Sequence, residues 1–176
     1  MKHSKKVWYA PNKHEAYGEE EIKAVEQCLR DGWLAGFGPR TVEFEEKIAK
    51  EFGKKYGVFV NSGSSACLLS LAALDLPKGT KVLTPALTFS TTLAPIIQLG
   101  YVPVFIDSNL TSYVPDIDDI IEAITDDIKV IMIPNLIGNK PDWKKLKDEL
   151  FRINRSDIYL IEDSADTVTY TKESDV

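Results

Sequence analysis

From residue 56 onward, the chain alternates between two patterns of hydrophobic positions. Short uninterrupted apolar runs rich in β-branched residues predict strands that are buried on both faces. Between these runs the apolar residues recur at helical spacing, most clearly at Ile117, Ile120, Ile121 and Ile124. The predicted strands span 56–60, 81–84, 102–106, 130–133 and 158–161, and the predicted helices span 64–74, 89–99, 116–124 and 142–151. This alternation predicts a three-layer α/β fold with a mainly parallel sheet and helices on both faces.

The first part of the chain, residues 1–54, predicts a helical segment ahead of an α/β domain at 55–176. Two amphipathic stretches predict helices at 15–31 and 41–52. The stretch between them, residues 32–39, contains three glycines and one proline and is therefore predicted to be a loop. Its aromatic residues Trp33 and Phe37 are expected either to contact a ligand or to pack on a partner subunit or on the domain itself.

Composition narrows the functional classes. Of the 176 residues, 44% are hydrophobic and 27% are charged, which is typical of a globular domain. The net charge of −6 argues against a nucleic-acid partner, because such domains carry a basic patch. Cys28 and Cys67 are interpreted as buried thiols in a reducing cytoplasm. Neither His3 nor His14 lies near a cysteine pair, so no metal site is predicted.

Residues 82–106 carry no charge and are long enough to span a bilayer. Three prolines, a glycine and a group of serine and threonine residues interrupt this stretch. A strand, a helix and a second strand explain it better than a membrane span, so no membrane association is predicted.

The ends of the predicted strands are the places to look for chemistry, since parallel α/β sheets bind ligands beyond the carboxyl ends of their strands. After the first predicted strand, Gly63, Ser64 and Ser65 open a helix. Small residues there let backbone N–H groups approach an anion, and the helix dipole favours it. These residues predict a phosphate cradle, although serine is also a common helix N-cap. No Gly-Lys-Ser/Thr sequence follows, which excludes a Walker-type loop.

Aromatic, amide and carboxylate side chains follow the later strands. Phe89 opens a helix at this edge, where its ring could stack on a flat ligand or pack in the core. Asn135 could bind a polar substrate, or it could be a routine loop residue. Asp163 ends the fifth predicted strand, where a carboxylate withdrawn from water needs a partner. That partner could be a protonated ring nitrogen, a magnesium ion shared with Asp107, or a helix N-terminus.

Taken in order, these motifs resemble the DegT/DnrJ/EryC1/StrS family of nucleotide-sugar aminotransferases, which depend on pyridoxal phosphate (PLP) and have the aspartate-aminotransferase-like fold type I. The resemblance runs from about residue 18 to about residue 172. The segments that carry it are 38–39, 44–45, 61–66, 85 with 88–89, 103–107, 138 and 161–165. The resemblance implies a cytoplasmic homodimer that acts on a nucleotide-linked keto sugar in cell-surface polysaccharide or lipopolysaccharide biosynthesis.

The resemblance also implies a role for each candidate residue. The phosphate-cradle residues named above would bind the PLP phosphate, Phe89 would stack on the pyridine ring, and Asp163 would face the pyridinium nitrogen. Asp166 stands where the family usually has glutamine, which contacts the ring hydroxyl. A carboxylate there would have to accept a hydrogen bond rather than donate one. Trp33 and Asn135 are the candidate substrate contacts.

Asp166 and residues 135–139 also resemble one branch of the family, the PLP- or PMP-dependent 4-keto-6-deoxy-sugar 3-dehydratases. Some members of that branch have histidine in place of the Schiff-base lysine. In the family this lysine lies a few dozen residues beyond the position of Asp163, ahead of a small C-terminal domain. The Schiff-base position and the small C-terminal domain are therefore expected beyond Val176. The chain alone is expected to be inactive. Lys172 aligns with a family segment that precedes the catalytic lysine, so it is interpreted as a surface residue.

Two further classes stay open at this point. One is a non-catalytic, truncated domain that binds PLP or phosphate weakly. The other is a metal-dependent α/β enzyme that uses Asp107 and Asp163.

Overall fold

A four-stranded parallel sheet with helices on both faces forms the centre of the molecule. The computed structural model describes residues 17–33, 36–167 and 176. In chain order the elements are α1 (Glu19–Asp31), α2 (Pro39–Glu51), α3 (Gly63–Ala72), β1 (Lys81–Pro85), α4 (Ser90–Gln98), β2 (Val102–Ile106), α5 (Ile117–Glu122), β3 (Ile128–Pro134), a 3₁₀ turn (Leu136–Gly138), α6 (Trp143–Arg152) and β4 (Tyr159–Asp163). The fold class predicted from the sequence is confirmed.

The strand order β2-β1-β3-β4 places a topological switch point between β1 and β3. The connection through α4 leads from β1 to one neighbour, β2, whereas the chain later enters β3 on the other side of β1. The register brings the ends of β3 and β4 level, since Pro134 pairs with Asp163. A crevice opens at the carboxyl ends of strands at such a point, and ligands bind there in doubly wound sheets.

Each face of the sheet has its own core. Successive strand residues point to opposite faces, so neighbours in sequence enter different cores. On the face covered by α5 and α6, the buried residues include Leu83, Ile131, Ile133, Ile120, Trp143 and Leu146. On the face covered by α3 and α4, they include Val82, Val130, Met132, Cys67, Leu71 and Ile96. The helical repeat from Ile117 to Ile124 packs on the first of these faces, as its spacing predicts.

The N-terminal helices are built differently. Gly18 precedes α1, its backbone N–H donates to Glu21 at 2.7 Å, and three glutamates occupy the first turn, which the helix dipole favours. Even so, α1 buries none of its residues, and α2 buries only Ala49. Amphipathic spacing alone therefore predicted the helices correctly but not what covers their apolar faces.

The prediction of a strand at 56–60 is wrong. The segment has no regular secondary structure and makes no strand pairing among the described residues. It lies against α2 instead: Phe59 N–H donates to Glu45 Oε1 at 2.7 Å, and the rings of Phe44 and Phe59 meet edge-to-face with centroids 5.2 Å apart. An apolar run specifies an extended backbone, but a strand also needs a neighbour that supplies hydrogen bonds.

The other boundaries agree within four residues, and the strand at 102–106 matches at both ends. His3, His14 and Lys172 lie outside the described residues, as does the predicted start of the first helix at residue 15. Among the helices of the described residues, none combines the length and the hydropathy needed to cross a membrane.

Candidate functional site

A cavity of about 680 Å³ opens at the topological switch point. Its walls come from the first turn of α3, the start of α4 and the residues that follow β1, β3 and β4. The predicted site residues that line it are Gly63, Ser64, Phe89, Asn135, Asp163 and Asp166. They come from four separate stretches of sequence, which the parallel sheet brings together.

The first turn of α3 forms the end of the cavity suited to an anion. Ser62 caps this helix, since its Oγ accepts a hydrogen bond from Ser65 N–H at 3.2 Å. The Ser65 hydroxyl donates to Asn61 Oδ1 at 2.7 Å, and Ser65 does not line the cavity. Gly63 and the exposed Ser64 do line it. The first N–H groups of a helix have no intrahelical acceptor, so this turn can donate to a bound anion.

Asp163 is half-buried at the end of β4, and three described donors contact its carboxylate. Thr92 Oγ1 donates to Oδ2 at 2.9 Å, and Cys67 Sγ lies 3.6 Å from the same oxygen. The backbone N–H of Ala165 donates to Oδ1 at 3.2 Å. A carboxylate offers about four acceptor positions. Asp163 therefore keeps capacity for a further donor from the cavity.

Cys67 remains a thiol beside this carboxylate. Burial, followed by the negative charge of Asp163, raises the pKa of Cys67 to about 12. At neutral pH the sulfur carries its proton and can donate it to Asp163.

Phe89 stands at the wall of the cavity immediately before α4. Its backbone is extended, and 69% of the residue's surface is exposed to solvent. The alternative of a core position for Phe89 is thereby excluded. Beside it, Thr88 Oγ1 is buried and has no hydrogen-bond partner among the described residues. Both features suit a ligand that offers a flat face and polar atoms.

Asn135 is fully buried, and protein groups already bind its side-chain amide. Its Nδ2 donates to Glu162 Oε1 and to Ser164 Oγ, and its Oδ1 accepts from Trp143 Nε1 at 3.3 Å. Its backbone N–H donates to Asp163 O at 2.9 Å. This side chain therefore ties the ends of β3 and β4 together, and the substrate contact predicted for it stays a prediction.

Asp166 stabilises a strained turn at the mouth of the cavity. Its Oδ2 accepts from Ile137 N–H at 2.9 Å, and Ile137 has φ 56°, a left-handed conformation that is costly for a β-branched residue. Gly138 follows with φ 84°. The carboxylate of Asp166 thus accepts a hydrogen bond within the protein. The donor in the structure is the backbone, and the contact with a ring hydroxyl stays a prediction.

Trp33 and Asp107 do not line the cavity. Trp33 is 61% exposed beside α1 and the start of α2. Asp107 follows β2, and three strand spacings, about 14 Å, separate that strand from β4. Asp107 and Asp163 therefore cannot share one metal ion. Among the described residues there is also no cluster of three or more side chains suited to a metal.

Sequence reasoning missed two contacts to Asp163, those of Thr92 and Cys67. Thr92 lies three residues after Phe89, and Cys67 lies three residues after Ser64. Each is thus one helical turn inside a helix that begins at the ligand edge of the sheet. Small polar residues at that spacing are the signal that could have indicated them.

Comparison with known proteins gives one family and several relatives. The family model described as the DegT/DnrJ/EryC1/StrS aminotransferase family matches residues 15–174. The chain is 37% identical to a GDP-4-keto-6-deoxy-D-mannose 3-dehydratase of Escherichia coli O55:H7, over 86% of the chain and 39% of that protein. It is 34% identical to the lipopolysaccharide biosynthesis protein RfbH of Salmonella typhimurium, over 93% of the chain and 38% of that protein.

A solved structure of a relative supports the same grouping. The E. coli GDP-4-keto-6-deoxy-D-mannose-3-dehydratase with bound hydrated PLP superposes with a TM-score of 0.78 at 35% identity, over 85% of the chain and 39% of that structure. The chain thus spans about two fifths of the length of these relatives.

Proposed function

The chain belongs to the DegT/DnrJ/EryC1/StrS aminotransferase family, and from that premise we propose that it is the cofactor-binding part of a PLP-dependent enzyme acting on nucleotide-linked keto sugars. The observation that carries the proposal is that the half-buried carboxylate of Asp163 and the N-terminus of α3 line the same cavity. A phosphorylated pyridine needs both contacts, one for its ring nitrogen and one for its phosphate.

The residues present fit PLP. Gly63, Ser64 and the first turn of α3 would hold its phosphate, with Ser65 supporting the turn from behind through Asn61. The exposed ring of Phe89 would cover one face of the pyridine. Asp163 would accept a hydrogen bond from the ring nitrogen and so keep the proton on that atom, since ionised carboxylates favour a charged partner nearby. Asp166 would lie at the mouth of the cavity, where it accepts a hydrogen bond from the turn at 136–138.

When bound, PLP supplies an electron sink. It accepts the electrons of a bond that breaks at the carbon atom carrying the attached nitrogen. Residues of the chain would orient the cofactor and shield it from water. Phe89 and the 136–138 turn bound the cavity, while Thr92 and Cys67 keep the Asp163 carboxylate in place.

For the reaction on the sugar, we favour removal of the 3-hydroxyl. The relative at 37% identity and the solved structure with PLP are both 3-dehydratases that act on a GDP-linked sugar. Transfer of an amino group is the second candidate, because the family as a whole is described by that reaction. The relationship to RfbH supports a role in lipopolysaccharide sugar biosynthesis.

Calorimetric titration of the chain tests the cofactor proposal. PLP, inorganic phosphate and pyridoxal are titrated separately into the wild-type chain, Asp163→Asn and Asp107→Asn. We expect saturable PLP binding that Asp163→Asn weakens about tenfold or more, because a hydrogen bond to a charged group is lost. Phosphate binding and the Asp107→Asn control should not change. Absence of PLP binding, or equal weakening by both variants, would contradict the assignment.

The reaction itself is tested on the protein that the complete reading frame encodes. A GDP-linked 4-keto-6-deoxy sugar, PLP and glutamate are supplied, and the product is identified by mass spectrometry. Loss of the 3-hydroxyl oxygen supports the dehydratase, and an amino group in place of the keto oxygen supports the aminotransferase. An unchanged sugar contradicts both.

We also propose a homodimer, in which α1 and the loop that carries Trp33 and Phe37 contact the partner subunit or its substrate. The support is the exposure of apolar side chains that the helical pattern would normally bury, including Val25 at 61% and Leu29 at 62%. Light scattering over a range of protein concentrations tests this, and a monomer at all of them would contradict it.

A further inference from the structure

Side chains from two helices contact the carboxylate of Asp163. Thr92 lies on α4 and Cys67 on α3, and both contact Oδ2, whereas Oδ1 receives only the backbone N–H of Ala165 among the described donors. Thr92 is completely buried and Cys67 is 9% exposed. Two buried donors on one oxygen of a half-buried carboxylate leave its plane little freedom to rotate.

The thiol and the hydroxyl have no evident alternative function. Cys67 belongs to the core cluster that contains Leu71 and Ile96, and Thr92 is completely buried, so each polar atom is costly unless it is hydrogen-bonded. Both also line the cavity, together with Asp163. The raised pKa of Cys67 keeps its proton on sulfur, so the contact is a donor contact and not a repulsion between two charges.

We propose that Thr92, assisted by Cys67, is a positioning residue that fixes the orientation of the Asp163 carboxylate for the ring nitrogen of the cofactor. This inference rests on the proposed function and deepens it. Thr92 acts through Asp163 and makes no bond to the cofactor.

The protein offers a matched control at Thr84. This threonine in β1 is also completely buried, but its Oγ1 has no hydrogen-bond partner among the described residues. Thr84→Val and Thr92→Val are the same change of shape at two buried sites. Only the second removes a donor to Asp163.

The test compares PLP with a deaza analogue in which carbon replaces the ring nitrogen. The ratio of the two dissociation constants reports how well Asp163 recognises the nitrogen, whatever the contribution of the phosphate. Titrations are made with the wild-type chain, Thr92→Val, Thr92→Ser and Thr84→Val, after circular dichroism has confirmed that each is folded. If Thr92→Val does not fold, Thr92→Ala replaces it.

We expect the wild-type chain to prefer PLP over the analogue. Thr92→Val should reduce that preference about threefold to tenfold, the range of one hydrogen bond. Thr92→Ser should restore it, and Thr84→Val should leave it unchanged. A preference that survives in Thr92→Val overturns the inference while leaving the proposed function intact. A wild-type chain that binds both ligands equally, or neither, overturns the function of Asp163 and the inference with it.

Discussion

The sheet region, residues 80–163, and the N-terminal region, residues 17–62, have similar amphipathic patterns but bury very different amounts of apolar surface. In the sheet region, Leu146 and Ile120 have no exposed surface. In the N-terminal region, Leu29 and Val58 are 62% and 79% exposed. Both regions form the secondary structure that their patterns favour, except at 56–60. The difference teaches that hydrophobic periodicity identifies which face of an element is apolar. Whether that face is buried depends on a packing partner, which the periodicity does not identify.

The largest expected effect is the difference in stability loss when one leucine in each region is replaced by alanine. Leu146→Ala on α6 should lower the free energy of unfolding by about 2–5 kcal/mol, because it leaves a cavity in a closed core. In protein dilute enough to be monomeric, Leu29→Ala on α1 should change it by less than about 0.5 kcal/mol, because no partner subunit then covers the side chain. Urea denaturation measures both. Equal losses would show that another surface covers α1 in solution, and the contrast between the regions would then fail.

A partly buried arginine stabilises the sheet region near the start of β3. Arg155 donates to Thr125 O at 2.8 Å and to Ile128 O at 2.6 Å, joining the entry of β3 to the turn before β4. Arg155→Met should cost about 1.5–3 kcal/mol, since two carbonyl groups lose a charged donor. Arg152→Met is the matched control. Arg152 is 67% exposed and pairs only with Glu149 in the described structure, so its loss should be close to zero in the same denaturation experiment.

Within the N-terminal region, α2 contacts residues 56–60 through a hydrogen bond and an aromatic pair. A Cβ at Gly57 would lie 2.5 Å from the backbone oxygen of Glu45, whereas a Cβ at Gly36 would meet nothing within 4 Å. Gly57→Ala should therefore cost about 1–3 kcal/mol through forced separation of the two backbones. Gly36→Ala should have little effect. If Gly57→Ala leaves the thermal unfolding curve unchanged, the segment does not hold α2 in solution.

The smallest expected effect is a loss of stability at alkaline pH that depends on Cys67. The pKa of Cys67 is raised from 9.0 to about 12, so the folded state binds this proton more tightly than the unfolded state does. The resulting stabilisation is complete below about pH 9 and is lost as the pH rises toward 12. Cys67→Ala should flatten that alkaline decline, and Cys28→Ala on α1 should leave it as in the wild type. Urea midpoints from pH 8 to 10.5 measure this, and identical slopes in both variants would contradict it.

Much of the candidate site could be predicted because parallel strands present their carboxyl ends at one edge. Phe89 and Asp163 each follow an apolar run that forms a strand, and this is enough to place them at that edge. Gly63 also lines the cavity, although the apolar run before it forms no strand. The partners of Asp163 could not be predicted in the same way. Thr92 and Cys67 reach it from sequence positions 71 and 96 residues away, and only the packing of α3 and α4 on the sheet brings them there.

The sequence by itself determined the layered architecture, most element boundaries and the edge of the sheet that carries the chemistry. These features depend on periodicity and on strand direction, which are local or follow from handedness and connection rules. Only the tertiary structure decided that residues 56–60 remain unpaired, that the Asn135 amide binds Trp143 and Glu162, and that α1 keeps its apolar face exposed. A hydrogen bond or a buried surface requires two partners, and the second partner is set by how distant parts of the chain pack.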